Sequence, residues 1–312
     1  MALLCEYALT PDVFDTRFYR HEEVGTASLE YLKDVFLEEA LLRNLRAGEW
    51  LAVFRNHERP WHRRGTELLK KMIKQNRLRL AVAALPAVPE SDVDWCLEAL
   101  ASHKIDPMTG VISTAQVVDA VGAKPILGRL DRLSNSPCWT SRSASVRLAR
   151  CHGDYKAQLR LIMQSANSIM LIDPHLDPTQ RRYSAVLPIL LLAQGRHPTP
   201  LIEIHRVMYI GAGPKRHFIN PVEWENRFRE AWGNDFATSG LKADIFIWDE
   251  HHDRYLITDL IGIEMGNGYD TTTNPNDITT WSRLGRGTRD DIQREFDPAA
   301  NRHKLHHRFT VP

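Results

Sequence analysis

Apolar positions in the first half of the chain recur at helical spacing and are then interrupted. Over residues 12–46, Leu29, Leu32, Val35, Phe36, Leu41, Leu42 and Leu45 suit one helix face, which predicts a mostly helical segment. Residues 51–54 form a short apolar run and read as a strand, as do residues 78–85. Between them, residues 65–75 predict a helix with Leu68, Leu69, Met72 and Ile73 facing inward. Ser91 is a plausible N-cap, followed by acids, for a helix over residues 91–103. A short strand over 111–114 and a helix over 114–121 follow. This alternation predicts an α/β region.

Residues 134–146 are rich in Ser, carry a Pro and lose all periodicity, so a domain boundary is placed there. It separates an N-terminal α/β domain, residues 1–140, from a second domain, residues 146–312. The second half has a clearer rhythm. It predicts a helix at 154–166, a strand at Ser168–Ile172 closed by Asp173-Pro174, and a helix at 183–194. A strand at 201–210 comes next, then a helix at 221–232 with Asn220 as N-cap and Pro221 at its first position. Strands at Ala243–Trp248, Tyr255–Thr258 and Gly262–Met265 precede a last helix at 289–296. Strands separated by helices predict a mainly parallel sheet.

Composition narrows the class. With 43% apolar residues the 312-residue chain can build real cores, and a net charge of +1 gives it no overall basic field. Nucleic-acid binding must then come from local patches. None of the four cysteines, Cys5, Cys96, Cys138 and Cys151, forms a CxxC pair, so no zinc site is suggested and reduced, cytoplasmic thiols are expected. The N-terminus turns acidic at once and does not read as a signal peptide. The longest apolar run, 185–193, falls short of the ~20 residues of a membrane span, so a soluble protein is expected.

Candidate chemistry concentrates at His251-His252-Asp253-Arg254 and the residues after it. Residues two apart on a strand share a face, which would set His252 beside Arg254. An imidazole beside a guanidinium suits attack on a phosphate: one supplies a nucleophile or proton, the other binds the anionic oxygens. Asp259 falls at a turn. Gly266-Asn267-Gly268 allows close backbone approach, and Asn267 offers side-chain hydrogen bonds. His251 would face the other side and serve structure. Asp173 either lies near the site, as strand C-terminal ends often do in α/β sheets, or simply ends its strand.

The arrangement His-x-Arg-x4-Asp-x6-Gly, over His252, Arg254, Asp259 and Gly266, resembles the signature of the phospholipase D superfamily, His-x-Lys-x4-Asp-x6-Gly-Ser. The order of elements from about residue 150 onward is similar as well. Arg254 stands where the family has lysine, and Asn267 where it has serine. Arginine binds phosphate but presents it differently from lysine. The resemblance implies a mixed sheet flanked by helices and a metal-independent phosphodiesterase or nuclease working through a phosphohistidine, without a cofactor. The family uses two such motifs, and no second copy is visible. The resemblance therefore implies a homodimer, with His252 of one chain as nucleophile and His252 of a second copy as general acid. Arg254 would bind phosphate, and Asp259 and Asn267 would orient these groups. Asp277 or Glu295 would supply the acid that orients the histidine.

The expected partner is nucleic acid, DNA ahead of RNA, with no membrane contact. Arg55, Arg59, Arg63, Arg64, Lys70, Lys71, Lys74, Arg77 and Arg79, with Phe54 and Trp61 among them, read either as a nucleic-acid face or as a solvated helix face. Arg283, Arg286 and Arg289, interleaved with Gly285 and Gly287, suggest a flexible phosphate-contacting loop. The tail from Arg302 to Arg308 reads as a second basic patch or a mobile terminus. A non-catalytic module is the other reading: Arg254 and Asn267 would mark decay, in a subunit of a larger assembly. The family's habits point such an assembly toward bacterial defence against foreign DNA.

Overall fold

The computed structural model describes residues 2–211 and 213–312. The chain divides into two compact units, residues 1–143 and 144–312, and the fold is mixed α/β.

The first unit contains β1 (Cys5–Leu9), α1 (Glu22–Glu39), β2 (Ala40–Asn44), α2 (Glu49–Ala52), α3 (Arg63–Lys74) and β3 (Leu78–Leu80). It continues with α4 (Asp92–Ile105), β4 (Gly110–Ser113), α5 (Ala115–Val121), β5 (Leu127–Arg129) and α6 (Pro137–Thr140). Its sheet has the order β3-β2-β1-β4-β5, and every pairing is parallel. Helical crossovers cover both faces of such a sheet, so β1 and β2 are buried along their whole length and do not alternate, with the buried Glu6 and Arg43 paired to each other. Leu41 and Leu42 therefore lie on β2, and Leu45 just beyond it, where the spacing predicted helix. A doubly buried strand and a helix face share that spacing. Residues 51–54 are likewise helical, split between α2 and a 3-10 turn, with Trp50 buried and Phe54 packed 4.9 Å from it. The strand predicted over 78–85 keeps only three residues, and Ile73 points to solvent at 52% exposed. Ser91 does cap α4: its Oγ accepts from Asp94 N at 3.2 Å while Asp94 Oδ2 accepts from Ser91 N at 2.9 Å.

The basic stretch is broken up by partners. Arg59 binds Asp15 and Asp92, Arg63 and Arg64 bind Glu67, and Arg79 binds Glu6 and Asp106. Arg77 is buried and donates to Ala40 O at 3.1 Å. Lys70, Lys71 and Lys74 stay exposed along α3.

The second unit begins with β6 (Ser145–Ala149), α7 (His152–Met163), β7 (Ser168–Ile172), α8 (Val186–Leu190) and β8 (Leu201–Val207). A hairpin of β9 (Tyr209–Ile210) and β10 (His217–Phe218) leads to α9 (Pro221–Ser239) and β11 (Ala243–Trp248). Then come β12 (Tyr255–Thr258), β13 (Gly262–Met265), β14 (Ile278–Leu284), α10 (Arg286–Glu295) and β15 (Leu305–Val311). The large sheet runs β15-β11-β8-β7-β12-β13-β14-β6. Only β7–β8 and β8–β11 pair in parallel, so the expectation of a mainly parallel sheet is corrected to a mixed one. The antiparallel part consists of the central β7–β12 pair, the successive pairs β12–β13 and β13–β14, and the edge strands β15 and β6.

Pro188 has no N–H to give a helix, and the predicted helix at 183–194 shrinks to α8 between 3-10 turns. Asn220 caps α9 by accepting from Val222 N at 2.9 Å. Trp224, Phe228, Trp232 and Phe236 repeat every fourth residue of α9 and form its buried stripe. The basic tail is no mobile terminus. It forms β15, an edge strand paired antiparallel with β11, Ile245 opposite Phe309. Its exposed charges suit an edge.

A histidine–aromatic stack fills this unit beside β8. His205 is fully buried, lies flat on Phe246 at 4.6 Å and accepts from Trp248 Nε1 at 3.0 Å. His251 is buried edge-on to Phe296 at 5.1 Å. Burial holds both imidazoles below their ordinary range; His303 nearby adds to this for His251, while Glu203 opposes it for His205. In the unfolded chain each takes a proton near pH ~6.5. Below that pH the unfolded state binds more protons, so stability falls as pH falls. We expect a loss approaching ~1.4 kcal/mol per pH unit from His251 between about pH 6.5 and 5, with His205 acting in the same direction. That window lies above the one for Asp177 and Asp244, whose ion pairs and hydrogen bonds lower their carboxyls. Urea midpoints at the two pH values measure the slope, and His251→Phe should flatten it. An unchanged slope in that variant would remove His251 from the account.

Candidate active site

β7 lies at the centre of the large sheet, between β8 and β12, and its C-terminal end builds the site. There the chain enters Asp173-Pro174-His175. Asp173 is 0% exposed. Its Oδ1 accepts from His175 N at 2.9 Å and its Oδ2 from Tyr269 N at 3.2 Å. Burial raises the Asp173 carboxyl above its usual range, against those two N–H donors and Arg254.

Arg254 leads into β12, which pairs antiparallel with β7, and this brings its Nε to 3.9 Å from Asp173 Oδ1. Its carbonyl accepts from Met265 N at 2.9 Å, which brings the turn after β13 alongside. Gly268 closes that turn at φ +66°. A Cβ there would lie 2.2 Å from Asp173 Oδ2 and 2.8 Å from Arg254 Cδ. The backbone passes over the carboxylate–guanidinium pair at a distance only glycine permits. Tyr269, next in line, is buried and donates its hydroxyl to Tyr255 O at 2.8 Å.

Two histidines accompany this pair. His252 does not lie on a strand, as expected from the alternation, because β12 starts only at Tyr255. Its side chain is 73% exposed, with Nε2 3.3 Å from Glu250 Oε1. Glu250 is thus the carboxylate beside it, not Asp277 or Glu295. Asp277 accepts from Asn274 Nδ2 at 2.8 Å, and Glu295 contacts His303 at 2.9 Å. His175 is half-buried. Its imidazole is pushed down to about 4, first by burial and then by the charges of Arg254, Arg206, Arg182 and His252. Arg206 is fully buried and donates to Val207 O, Leu176 O and Tyr209 O at 2.6–2.8 Å. It lies over the Trp224 ring at 3.3 Å. It thereby fixes the turn that carries His175.

Several expected members lie elsewhere. Asp259 ends β12 on the far side: Tyr255 faces Ile172 but Thr258 faces Ile169. At ~3.3 Å per residue that places Asp259 roughly 13 Å along the strand from Tyr255. Its Oδ1 accepts from Asn167 N at 2.9 Å and Ser168 N at 3.3 Å, tying down the start of β7 without touching His252 or Arg254. Arg283 and Arg286 are at that far end too, since Leu284 pairs Gly262. They belong to β14 and α10, and the expected flexible loop is absent. Asn267 is exposed at the tip of the turn, and Gly268, not Gly266, makes the close approach. Sequence reading missed His175. Its place two residues past a strand-ending Asp was the available signal, because ligands gather at strand C-terminal ends. Among the described residues, no three His, Cys, Asp or Glu side chains cluster as metal ligands, and no helix is long and apolar enough to cross a membrane.

No family model and no curated protein matches the chain. Solved structures similar to it include Nuc, a phospholipase D family member from Salmonella typhimurium. That match has 10% identity, covers 52% of this chain and 97% of Nuc, and has a TM-score of 0.34. Phosphatidylserine synthase from Haemophilus influenzae aligns at 14% identity over 52% of this chain and 39% of its own, TM-score 0.33. TrmBL2, an archaeal chromatin protein, aligns at 11% identity over 78% of this chain and 82% of its own, TM-score 0.31. The chain thus spans well under half of the synthase. Fold and site define a mixed α/β protein whose second unit holds Arg254 against the buried Asp173 at the end of the central strand of its sheet.

Proposed function

We propose that the second unit is a metal-independent phosphodiesterase acting on nucleic acid. The observation that carries this is Arg254: its only carboxylate contact is the 3.9 Å approach to Asp173, among the described residues, and His252 stands two residues away. A long contact leaves guanidinium donors for phosphate oxygens. Charge that grows on those oxygens in the transition state is stabilised there. Attack by an imidazole and protonation of the leaving oxygen by another would complete the reaction, and His252 supplies one of the two. The resemblance assigns the second to another copy of the chain. The exposed Lys70, Lys71 and Lys74 add a small cationic patch suited to a phosphate backbone.

The test is cleavage of labelled single- and double-stranded DNA and RNA in excess EDTA by the native protein and by His252→Ala. Cleavage that falls at least ~1,000-fold in the variant is the expected result. Nucleic acid bound but left intact by both proteins would overturn the enzymatic reading in favour of a binding module.

A further inference from the structure

The two-imidazole reaction leaves one group to be found, and a histidine of this same chain stands at the site. We infer that His175 is the nucleophile that attacks phosphorus, with His252 of the same chain protonating the leaving oxygen, so that one chain holds a complete site. This inference rests on the phosphodiesterase reading above.

The geometry comes from the Asp173–Arg254 pair. The backbone N–H of His175 is held on Asp173 Oδ1, and that same oxygen is the one Arg254 approaches. Gly268 and Tyr269 close over the other oxygen. The start of the His175 turn is therefore locked to the phosphate-binding arginine, and Arg206 locks its far side through Leu176 O. His252 joins the same cluster through its backbone, its carbonyl oxygen lying 3.5 Å from Arg254 Nη1. His252 is exposed, where a leaving group departs to solvent, and His175 is half-buried against the sheet.

The electrostatics fit the division of roles. Burial and three guanidiniums, Arg254, Arg206 and Arg182, keep the His175 ring neutral. A neutral ring has a free lone pair, which a nucleophile needs and a general acid lacks. Arg254, held at the start of the same turn, favours a phosphate beside it. In the first step a His175 ring nitrogen bonds to phosphorus while the P–O bond to the leaving group breaks, and the leaving oxygen takes the proton of His252. In the second step water attacks phosphorus, His252 takes back a proton, and the P–N bond breaks with its electron pair returning to His175.

The experiment compares the native chain with His175→Ala and His252→Ala in excess EDTA, on a phosphate-labelled oligonucleotide. The Asp173 contact uses the His175 backbone N–H, so His175→Ala keeps it, and matched thermal unfolding confirms an intact fold. The expected result is a loss of at least ~1,000-fold in both variants. Acid-labile, base-stable label should map to His175 in the native protein and accumulate at His175 in His252→Ala. Mixing the two variants should restore nothing, because each chain lacks half of its own site. Native-level cleavage by His175→Ala, or label on His252, would overturn the inference and leave the phosphodiesterase reading standing with a second copy supplying the imidazole. Recovery of activity on mixing would overturn the single-chain site. Absence of cleavage by the native chain would instead overturn the reading on which the inference rests.

Discussion

Arg206→Met should destabilise the second unit by roughly 3–5 kcal/mol, lowering its melting temperature by about 10 °C. Arg206 is fully buried and satisfies three backbone carbonyls, at Val207, Leu176 and Tyr209. Methionine fills much of the same space but donates nothing. The three acceptors would then be buried without partners, at about 1–3 kcal/mol each before relaxation. Part of this is offset, because the native guanidinium bears its own desolvation: burial pushes it down to about 9. Arg206→Lys keeps the charge but cannot span three divergent carbonyls from one ammonium, so an intermediate loss is expected. Thermal and urea unfolding measure both. A loss below ~1 kcal/mol for Arg206→Met would show that water reaches these carbonyls, and that the turn carrying His175 is less firmly held than the hydrogen bonds imply.

Gly268→Ala should be the most disruptive single-methyl change at the site. The position has φ +66°, which costs an alanine about 1–2 kcal/mol by itself. The added methyl would also meet Asp173 Oδ2 at 2.2 Å and Arg254 Cδ at 2.8 Å. Asp173 cannot retreat, because it is buried and held by His175 N and Tyr269 N. Overpacking of this kind adds about 1–3 kcal/mol, for a total of roughly 2–5 kcal/mol. Activity should fall further than stability, since relief of the clash must move Arg254. The neighbouring Gly266 has no positive φ, and its added methyl would meet Thr280 O at 3.2 Å and Thr279 Oγ1 at an ordinary 3.7 Å. Gly266→Ala should therefore cost clearly less. Unfolding midpoints together with cleavage rates compare the two variants; equal effects would refute the assignment of the close approach to Gly268.

Legibility followed the reach of the interactions. Ser91 and Asn220 were readable as caps because capping acts within three residues. The helix over residues 221–232 was readable as well, because Pro221 at a first helical position is a local signal. The buried parallel strand β2 was not, since apolar residues covered on both faces carry no period to separate strand from helix. β15 was hidden by its own charges: an edge strand alternates weakly, and His306, His307 and Arg308 suggested a tail.

The sequence by itself determined which residue types lie near His252 and at what spacing, and hence the kind of chemistry to look for. It also determined that Asp173 ends a strand. The tertiary structure alone decided which of these residues meet. Asp173 and Tyr269 are 96 positions apart, and they touch because β7 and β12 pair antiparallel with Ile172 opposite Tyr255. The same pairing carries Asp259 away from His252, although the two are close in the chain. Register across a sheet is set by long-range packing, and a one-residue slip would exchange the faces of every side chain. Local periodicity cannot encode that choice, so His175 emerged as a member of the site, and Gly268 rather than Gly266 as its point of close approach, only once β7, β12 and β13 were side by side.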